Sequence, residues 1–351
     1  MQEASEKTAL GWKKKLLFYS AVLIVTLLAI ELAFRAVFAF KVGPSVFLYG
    51  TRFHWKSIEQ KSKQSVAWHD NQVVNYSKYF PHQSRVTYDK KTGQRIPVTI
   101  NSTGFRGKEF TATKDANTVR IVTLGASSTF GYYNRDDETY PYYTEKLLNR
   151  DRPNSKTYEV INLGIPHLNS SQILSLFLAE ALPLNPDVVT FYEGNNDAWF
   201  IRSHVMEQVR GRSFLHRGIN YAGRYLMVFA TAGNLLLRQF KGYTKEHLDQ
   251  YSEAVSEKFL ANLSMIDRDC KKRNIRFIVA THQKTSSMGQ RDLAGVTYKQ
   301  EIDEVKKKLA KTGYIAASPI DFLLHDILMR DMVKWASAHN VALVDIIKAM
   351  D

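Results

Sequence analysis

One stretch decides the fold: residues 119–131 read VRIVTLGASSTFG. Its first half is a short apolar run of the kind that forms a strand buried on both faces of a sheet. Gly125 then allows a tight turn, and Ser127 stands where a helix would begin. A hydroxyl in such a turn can act as a nucleophile while backbone N–H groups face a developing oxyanion. Ser127, Ser128 and Thr129 suit a helix N-cap equally well, so from this stretch alone both interpretations stay open.

Similar apolar runs recur along the chain, and helical stretches separate them. The predicted strands are Arg120–Leu124, Tyr158–Asn162, Val188–Tyr192, Arg276–Ala280 and Val341–Val344. The predicted helices are Tyr140–Asn149, Ser170–Leu182, Lys245–Arg273 and Ile320–His339. Residues 198–244 and 282–318 are insertions on this plan. The alternation predicts an α/β fold, a three-layer doubly wound parallel sheet with right-handed crossovers.

Two more strand ends carry polar or flexible residues, and ligands bind at the carboxyl ends of such strands. Gly164 follows the second strand, where its backbone could approach a ligand closely and offer an N–H donor. Asn196 follows the third strand in residues 193–197, EGNND, and its carboxamide could donate to an oxyanion. Each signal alone also fits an ordinary loop, because Gly, Asn and Asp are typical turn residues.

Taken together, the three strand ends resemble the SGNH (GDSL-type) hydrolase family. The family's first block reads Gly-Asp-Ser-x-x-x-Gly, and residues 125–131 match it with Ala126 in place of the Asp. Gly164 matches the Gly of the second block. Residues 194–197 match the third block, Gly-x-Asn-Asp, with Asn196 as the block Asn. The segment 101–106, NSTGFR, is also similar to one that precedes the first block in membrane-anchored members.

The resemblance implies a flavodoxin-like SGNH hydrolase fold, a reaction and a set of site residues. Ser127 would attack an ester and form an acyl-Ser127 intermediate. The N–H groups of Ser127 and Gly164 and the side chain of Asn196 would hold the oxyanion. No metal or organic cofactor is implied, and the partner would be an acyl-ester substrate, either a polysaccharide, a lipid or a small ester. An O-acyltransferase of cell-surface glycans and a non-catalytic binding or assembly protein remain alternatives.

The family's Asp-x-x-His block follows the last strand, whereas residues 345–351, DIIKAMD, contain no His. We therefore expect the α/β domain, residues 119–351, to be C-terminally incomplete and this chain alone to turn over esters poorly. An Asp-x-x-His block encoded just after Asp351 would favour the enzyme, and a stop codon there would favour the binding protein. The candidates for a replacement base are His167, His282 and His325.

The N-terminal residues predict a membrane anchor. Residues 16–40 are mostly aliphatic, and their only charges are Glu31 and Arg35, which are four apart and can pair. A helix of this length crosses a bilayer core of about 30 Å. Lys13–Lys15 precede it, so the positive-inside rule places residues 1–15 in the cytoplasm and the later residues in the periplasm or outside the cell. A cleaved signal peptide is the alternative.

Length, charge and cysteine content limit which kinds of protein and partner fit the chain. The 351 residues suffice for one α/β domain and accessory segments, including a β-rich juxtamembrane segment, residues 41–118, with a predicted hairpin around Gly93. Lys and Arg number 48 against 34 Asp and Glu, a net charge of +14. The basic residues are scattered and form no nucleic-acid motif, so no nucleic-acid partner is expected. Cys270 is the only cysteine, which excludes an intrachain disulfide.

Overall fold

The computed structural model divides the chain into two compact units. One unit comprises residues 1–59 and 208–240, and the other comprises residues 60–207 and 241–351. The described residues are 11–42, 61–67, 73–83, 85–88, 93–151, 155–199, 202, 218, 221–222, 226, 242–284 and 295–351. All the strands assigned below lie in the second unit.

The first unit contains one long apolar helix, α1, over Trp12–Val42. It encloses the predicted span of residues 16–40. Within it, Trp12–Val37 is the one stretch among the described helices that is long and apolar enough to cross a membrane. Glu31 and Arg35 form the expected pair, with 2.8 Å between Oε1 and Nε. The length and composition of this helix fit a membrane span and a signal sequence equally. The side of the membrane on which the residues after α1 lie therefore stays a prediction.

Two antiparallel hairpins open the second unit. β1 pairs with β2, and β3 pairs with β4, over Lys61–Ala67, Val73–Tyr79, Arg85–Tyr88 and Arg95–Val98. The predicted hairpin around Gly93 is present, with Thr87 opposite Ile96, although residues 89–92 lie outside the described part. β2 also joins the α/β body, since the Tyr76 hydroxyl and the Lys78 ammonium both donate to Glu180 at 2.8 and 2.7 Å.

The predicted fold class is confirmed by a five-stranded parallel sheet with the order β6-β5-β7-β8-β9. The strands are β5 Thr118–Gly125, β6 Thr157–Asn162, β7 Val188–Tyr192, β8 Arg276–Ala280 and β9 Ala342–Val344. Their ends agree with the predicted runs to within two residues. All six residues from Arg120 to Gly125 are buried, as expected for a central strand covered on both faces.

Helices of the second unit flank or connect these strands. They include α2 Ser127–Phe130, α3 Tyr140–Asp151, α4 Ser170–Leu176, α5 Lys245–Lys272, α6 Tyr298–Thr312, α7 Ala317–Ala338 and α8 Ile346–Met350. The crossover from β5 to β6 runs one way along the sheet, and the three later crossovers run the other way. Right-handed crossovers therefore place α3 on one face and α4, α5 and α7 on the opposite face.

Helix α6 corrects the prediction that residues 282–318 are merely an insertion. Thr297 caps the helix, with its side chain accepting a hydrogen bond from the Gln300 N–H, and Gly313 ends it in the left-handed conformation. Both signals are present in the sequence, together with four apolar residues at helical spacing that the helix buries. These are Tyr298, Ile302, Val305 and Leu309. The exposed positions of this helix are mostly lysine and other polar residues, which obscure its apolar pattern in the sequence.

Candidate active site

Ser127 lies in a tight turn between β5 and α2. The strand ends at Gly125, and α2 is a single turn closed by Gly131, whose N–H donates to the Ser127 carbonyl at 2.9 Å. A Cβ at Gly125 would lie 2.6 Å from the Tyr192 carbonyl oxygen on β7, which no side chain tolerates. Gly125 therefore allows a sharp turn at the end of β5. As a result, the Ser127 side chain is half-buried at the strand end.

The predicted nucleophile lines a cavity in the described part of the structure. Its volume is about 1040 Å³, and Ser127, Ser128 and His167 all contribute to its wall. The side chains that form the remaining wall are largely aromatic or aliphatic. They include Tyr132, Tyr140, Tyr192, Ile278, Ala280 and Val344. The cavity thus joins hydroxyl and imidazole groups to an apolar surface large enough for a small organic ligand.

Gly164 lies at the predicted edge of the sheet, but its N–H does not face this cavity. That N–H donates to the Asn162 Oδ1 atom at 2.9 Å, and the Asn162 Nδ2 atom donates to the Thr129 carbonyl at 3.0 Å. A Cβ at Gly164 would lie only 2.4 Å from the Phe130 nitrogen. The close approach that the sequence suggested is therefore to the backbone of α2. Asn162 is not among the predicted site residues, although an Asn that ends a buried strand is a detectable signal.

Asn196 also lies outside the cavity wall in the described structure. Its Nδ2 atom donates to the Leu168 carbonyl at 2.9 Å, and its N–H donates to Glu193 at 2.7 Å. The neighbouring Asp197 carboxylate accepts two hydrogen bonds from Ser170. The sheet order places the loops after β5, β6 and β7 side by side, as predicted. Of the three predicted site residues, Ser127 lines the cavity, whereas Gly164 and Asn196 tie the loops together.

The three candidate histidines have different surroundings. His167 is exposed in the cavity wall and has a φ of 70°, a left-handed conformation that is uncommon for a residue with a side chain. His282 is buried, and its Nε2 atom lies 2.8 Å from Ser128 Oγ. His325 is fully buried, and its Nδ1 atom is 3.3 Å from the Tyr298 hydroxyl. His282 therefore pairs with the serine next to the predicted nucleophile.

Arg106, in the segment that precedes the first block, braces the turn that carries Ser127. Its Nη1 atom donates to the carbonyls of Phe130 and Gly131 at 2.9 and 2.5 Å, and its Nη2 atom donates to the Asn134 carbonyl at 2.6 Å. Its Nε atom completes the arrangement by donating to Asp136 at 2.9 Å. The guanidinium is almost completely buried, so these acceptors replace its hydration shell.

Among the described residues, no group of three or more His, Cys, Asp or Glu side chains is placed to hold a metal ion. The candidate site is therefore a cavity in which the hydroxyl groups of Ser127 and Ser128 lie beside aromatic and aliphatic side chains.

Several solved structures that are similar to this chain are esterases or acylhydrolases. The acetyl xylan esterase AlAXEase is 17% identical, with a TM-score of 0.36 over 66% of this chain and 79% of that chain. The similar structures include SGNH-family hydrolases. The SGNH-hydrolase family esterase AlinE4 is 15% identical, with a TM-score of 0.36 over 67% of this chain and 80% of that chain. A lipase/acylhydrolase from Enterococcus faecalis is 18% identical, with a TM-score of 0.33 over 66% and 78%.

No protein-family model and no curated protein sequence matches the chain. At these identities and TM-scores, the roles of individual residues rest on the geometry of this chain.

Glu193 is a buried carboxyl beside the predicted oxyanion loop. It is 1% exposed, and burial raises its pKa to about 7 even though it accepts a hydrogen bond from the Asn196 N–H. Because this pKa lies above the unfolded value, the folded state binds the proton more tightly. The contribution to stability is complete below about pH 4.5 and is lost as the pH rises through about 7.

The variant Glu193→Gln is therefore expected to remove part of the pH dependence of stability. Between pH 5 and pH 8 the wild-type free energy of unfolding should fall by about 1–3 kcal/mol more than that of the variant. Urea unfolding at pH 5, 6, 7 and 8, followed by tryptophan fluorescence, measures the difference. The exposed Glu246→Gln is the control and should follow the wild type. Equal slopes for wild type and Glu193→Gln would contradict the assignment.

Proposed function

We propose that this protein is a serine ester hydrolase in which the Ser127 hydroxyl attacks the acyl carbon and forms an acyl-Ser127 intermediate. The observation that carries the proposal is the position of Ser127. It lies in a glycine-dependent turn at the end of a central strand, and its side chain lines a cavity of about 1040 Å³. The acyl–oxygen bond of the ester would break, and the alcohol would leave with the proton that Ser127 gives up. Water would then hydrolyse the acyl-enzyme, release the acid and restore the Ser127 hydroxyl.

The oxyanion donors proposed from the resemblance are the N–H groups of Ser127 and Gly164 and the carboxamide of Asn196. The Gly164 N–H and the Asn196 Nδ2 atom already donate to Asn162 and Leu168. They could therefore serve only if a substrate oxygen replaced those acceptors. The base that deprotonates Ser127 is expected from an Asp-x-x-His block, and this also stays a prediction.

The cavity wall supports an ester as the substrate class. Ile278, Ala280 and Val344 offer aliphatic surface for an acyl group, while tyrosines near Ser127 offer both ring faces and hydroxyl groups. We further propose that the enzyme acts outside the cytoplasmic membrane, anchored through residues 16–40, on an ester of a polysaccharide, a lipid or a small alcohol. Transfer of the acyl group to a glycan hydroxyl instead of water would make the same site an O-acyltransferase.

A non-catalytic binding or assembly protein is the second candidate. A specific observation favours it, since both proposed donors besides the Ser127 N–H are used to hold loops together. Such a protein would keep the cavity and bind an ester or glycan without attacking it. The experiment on Ser127 distinguishes the two candidates.

The variant Ser127→Ala is expected to lose covalent labelling by a fluorophosphonate probe and to lower kcat for 4-nitrophenyl acetate by about 10⁴-fold or more. The test uses the product of the complete gene in detergent, with the labelled peptide identified by mass spectrometry. Ser337→Ala, at an exposed serine on α7, is the control and should label as the wild type does. A wild-type protein that neither labels nor turns over the ester would favour the binding protein.

A further inference from the structure

Ser128 and His282 form a hydrogen-bonded pair beside Ser127. The Ser128 Oγ atom lies 2.8 Å from His282 Nε2. Ser128 is the second residue of α2 and, like Ser127, lines the cavity, whereas His282 follows β8 and is 7% exposed. The imidazole thus supports the Ser128 hydroxyl from the protein side, and the hydroxyl faces the space that a ligand would occupy.

The surroundings of His282 keep its ring fixed and neutral. The ring lies against Tyr192 at a centroid distance of 4.8 Å and contacts the edge of His325 at 5.5 Å. Burial, assisted by the positive charge of Lys284, lowers the pKa of His282 to about 4. No carboxylate hydrogen-bonds to its Nδ1 atom, which has no partner among the described residues. A general base needs stabilisation of its protonated form, and this imidazole lacks it.

The unpartnered Nδ1 atom also indicates which nitrogen carries the proton. A buried N–H without an acceptor costs more free energy than a buried lone pair without a donor. The favoured tautomer of His282 therefore carries its proton on Nε2 and donates it to Ser128 Oγ. Ser128 then uses a lone pair to accept this bond and keeps its own O–H for another partner, and no described residue accepts that O–H.

We propose that Ser128 is a substrate-binding residue, whose hydroxyl donates a hydrogen bond to an acceptor oxygen of the bound ester while His282 holds it in position. The proposal rests on the proposed function, because it names a contact for the same substrate in the same cavity. His282 is a positioning residue, and it takes no proton during the reaction. The oxygen that fits is a carbonyl or ether oxygen, which accepts but does not donate.

Binding of 4-nitroacetanilide, an amide analogue of 4-nitrophenyl acetate that retains the carbonyl acceptor, tests the contact without requiring turnover. Ligand-observed NMR on the complete gene product should give a dissociation constant that rises about three- to tenfold in Ser128→Ala. Ser128→Thr keeps the hydroxyl and should bind as the wild type does. His282→Phe keeps a ring against Tyr192 but loses the donor, so binding should weaken as in Ser128→Ala. Ser337→Ala controls for unspecific effects.

A second measurement follows the imidazole itself. Long-range ¹H–¹⁵N spectra should show His282 neutral from pH 5 to pH 8, with the proton on Nε2. A proton on Nδ1, titration within that range, no saturable binding by the wild type, or Ser128→Ala binding within twofold of wild type would each overturn the proposal. Failure of the proposed function appears elsewhere, as a wild type that binds the anilide but is not labelled at Ser127.

Discussion

Replacing Gly164 with alanine is expected to destabilise the protein by about 3 kcal/mol, the upper end of what one added methyl group costs in a packed interior. The new Cβ would lie 2.4 Å from the Phe130 nitrogen and 2.7 Å from the Thr129 carbonyl carbon. Both are backbone atoms of α2, which cannot rotate away as a side chain can. The clash would also push α2 outward and displace Ser127 from its turn.

Urea unfolding in detergent, followed by tryptophan fluorescence, measures this effect, and fluorophosphonate labelling reports the displacement of Ser127. Gly313→Ala is the matched control, because a Cβ there meets nothing within 4 Å and only the positive φ of 75° opposes it. Its cost should be about 1 kcal/mol. Equal stability losses at the two glycines would show that α2 moves away at little cost and would refute the steric argument.

Replacing Arg106 with leucine is expected to cost about 3–5 kcal/mol, the range for removing one partner of a buried ionic network. The substitution removes the guanidinium donor from the carbonyls of Phe130 and Asn134 and leaves the Gly131 carbonyl with only the Asn134 N–H. It also removes the ion pair with Asp136. The turn after Ser127 would lose its restraint together with this stability. For a body of this size the apparent Tm should fall by roughly 10 °C.

Thermal unfolding of the complete gene product measures the change, with Arg135→Leu as the matched control. Arg135 lies next to Asp136, the ion-pair partner of Arg106, and pairs with Asp137 and Glu138, but its side chain is 62% exposed. Exposed pairs of this kind contribute less than about 1 kcal/mol, so the control should lower Tm by only a few degrees. A small loss at Arg106 would mean that water can replace the guanidinium.

The sheet was predictable because its information is local. Each strand is a short apolar run, and glycine or proline residues such as Gly125 and Pro186 stand between the runs. The strand ends could therefore be predicted to within two residues. The direction of the crossovers follows from general handedness. Helix α6 was also predictable from the sequence, since Thr297 is a typical N-cap residue and Gly313 a typical C-cap residue.

The site was only partly predictable, because its geometry depends on contacts between distant segments. A strand-end position could be assigned to Ser127, Gly164 and Asn196, but not the direction in which each donor points. Whether the Gly164 N–H faces a ligand is decided by the side chain of Asn162. The pairing of His282 with Ser128 spans 154 positions and has no local signature. From the sequence, His282 is a candidate base for Ser127, whereas in the structure its Nε2 atom lies beside Ser128.

The guanidinium that restrains the turn after Ser127 comes from outside the α/β segment, since Arg106 precedes the first strand of the parallel sheet. The β2 hairpin is attached to the same body through Glu180. A segment that begins at residue 119 would contain Ser127, Gly164 and Asn196 but not Arg106. A shortened or transplanted form of this body should therefore begin upstream of the β1–β2 pair, so that it keeps both hairpins and the guanidinium.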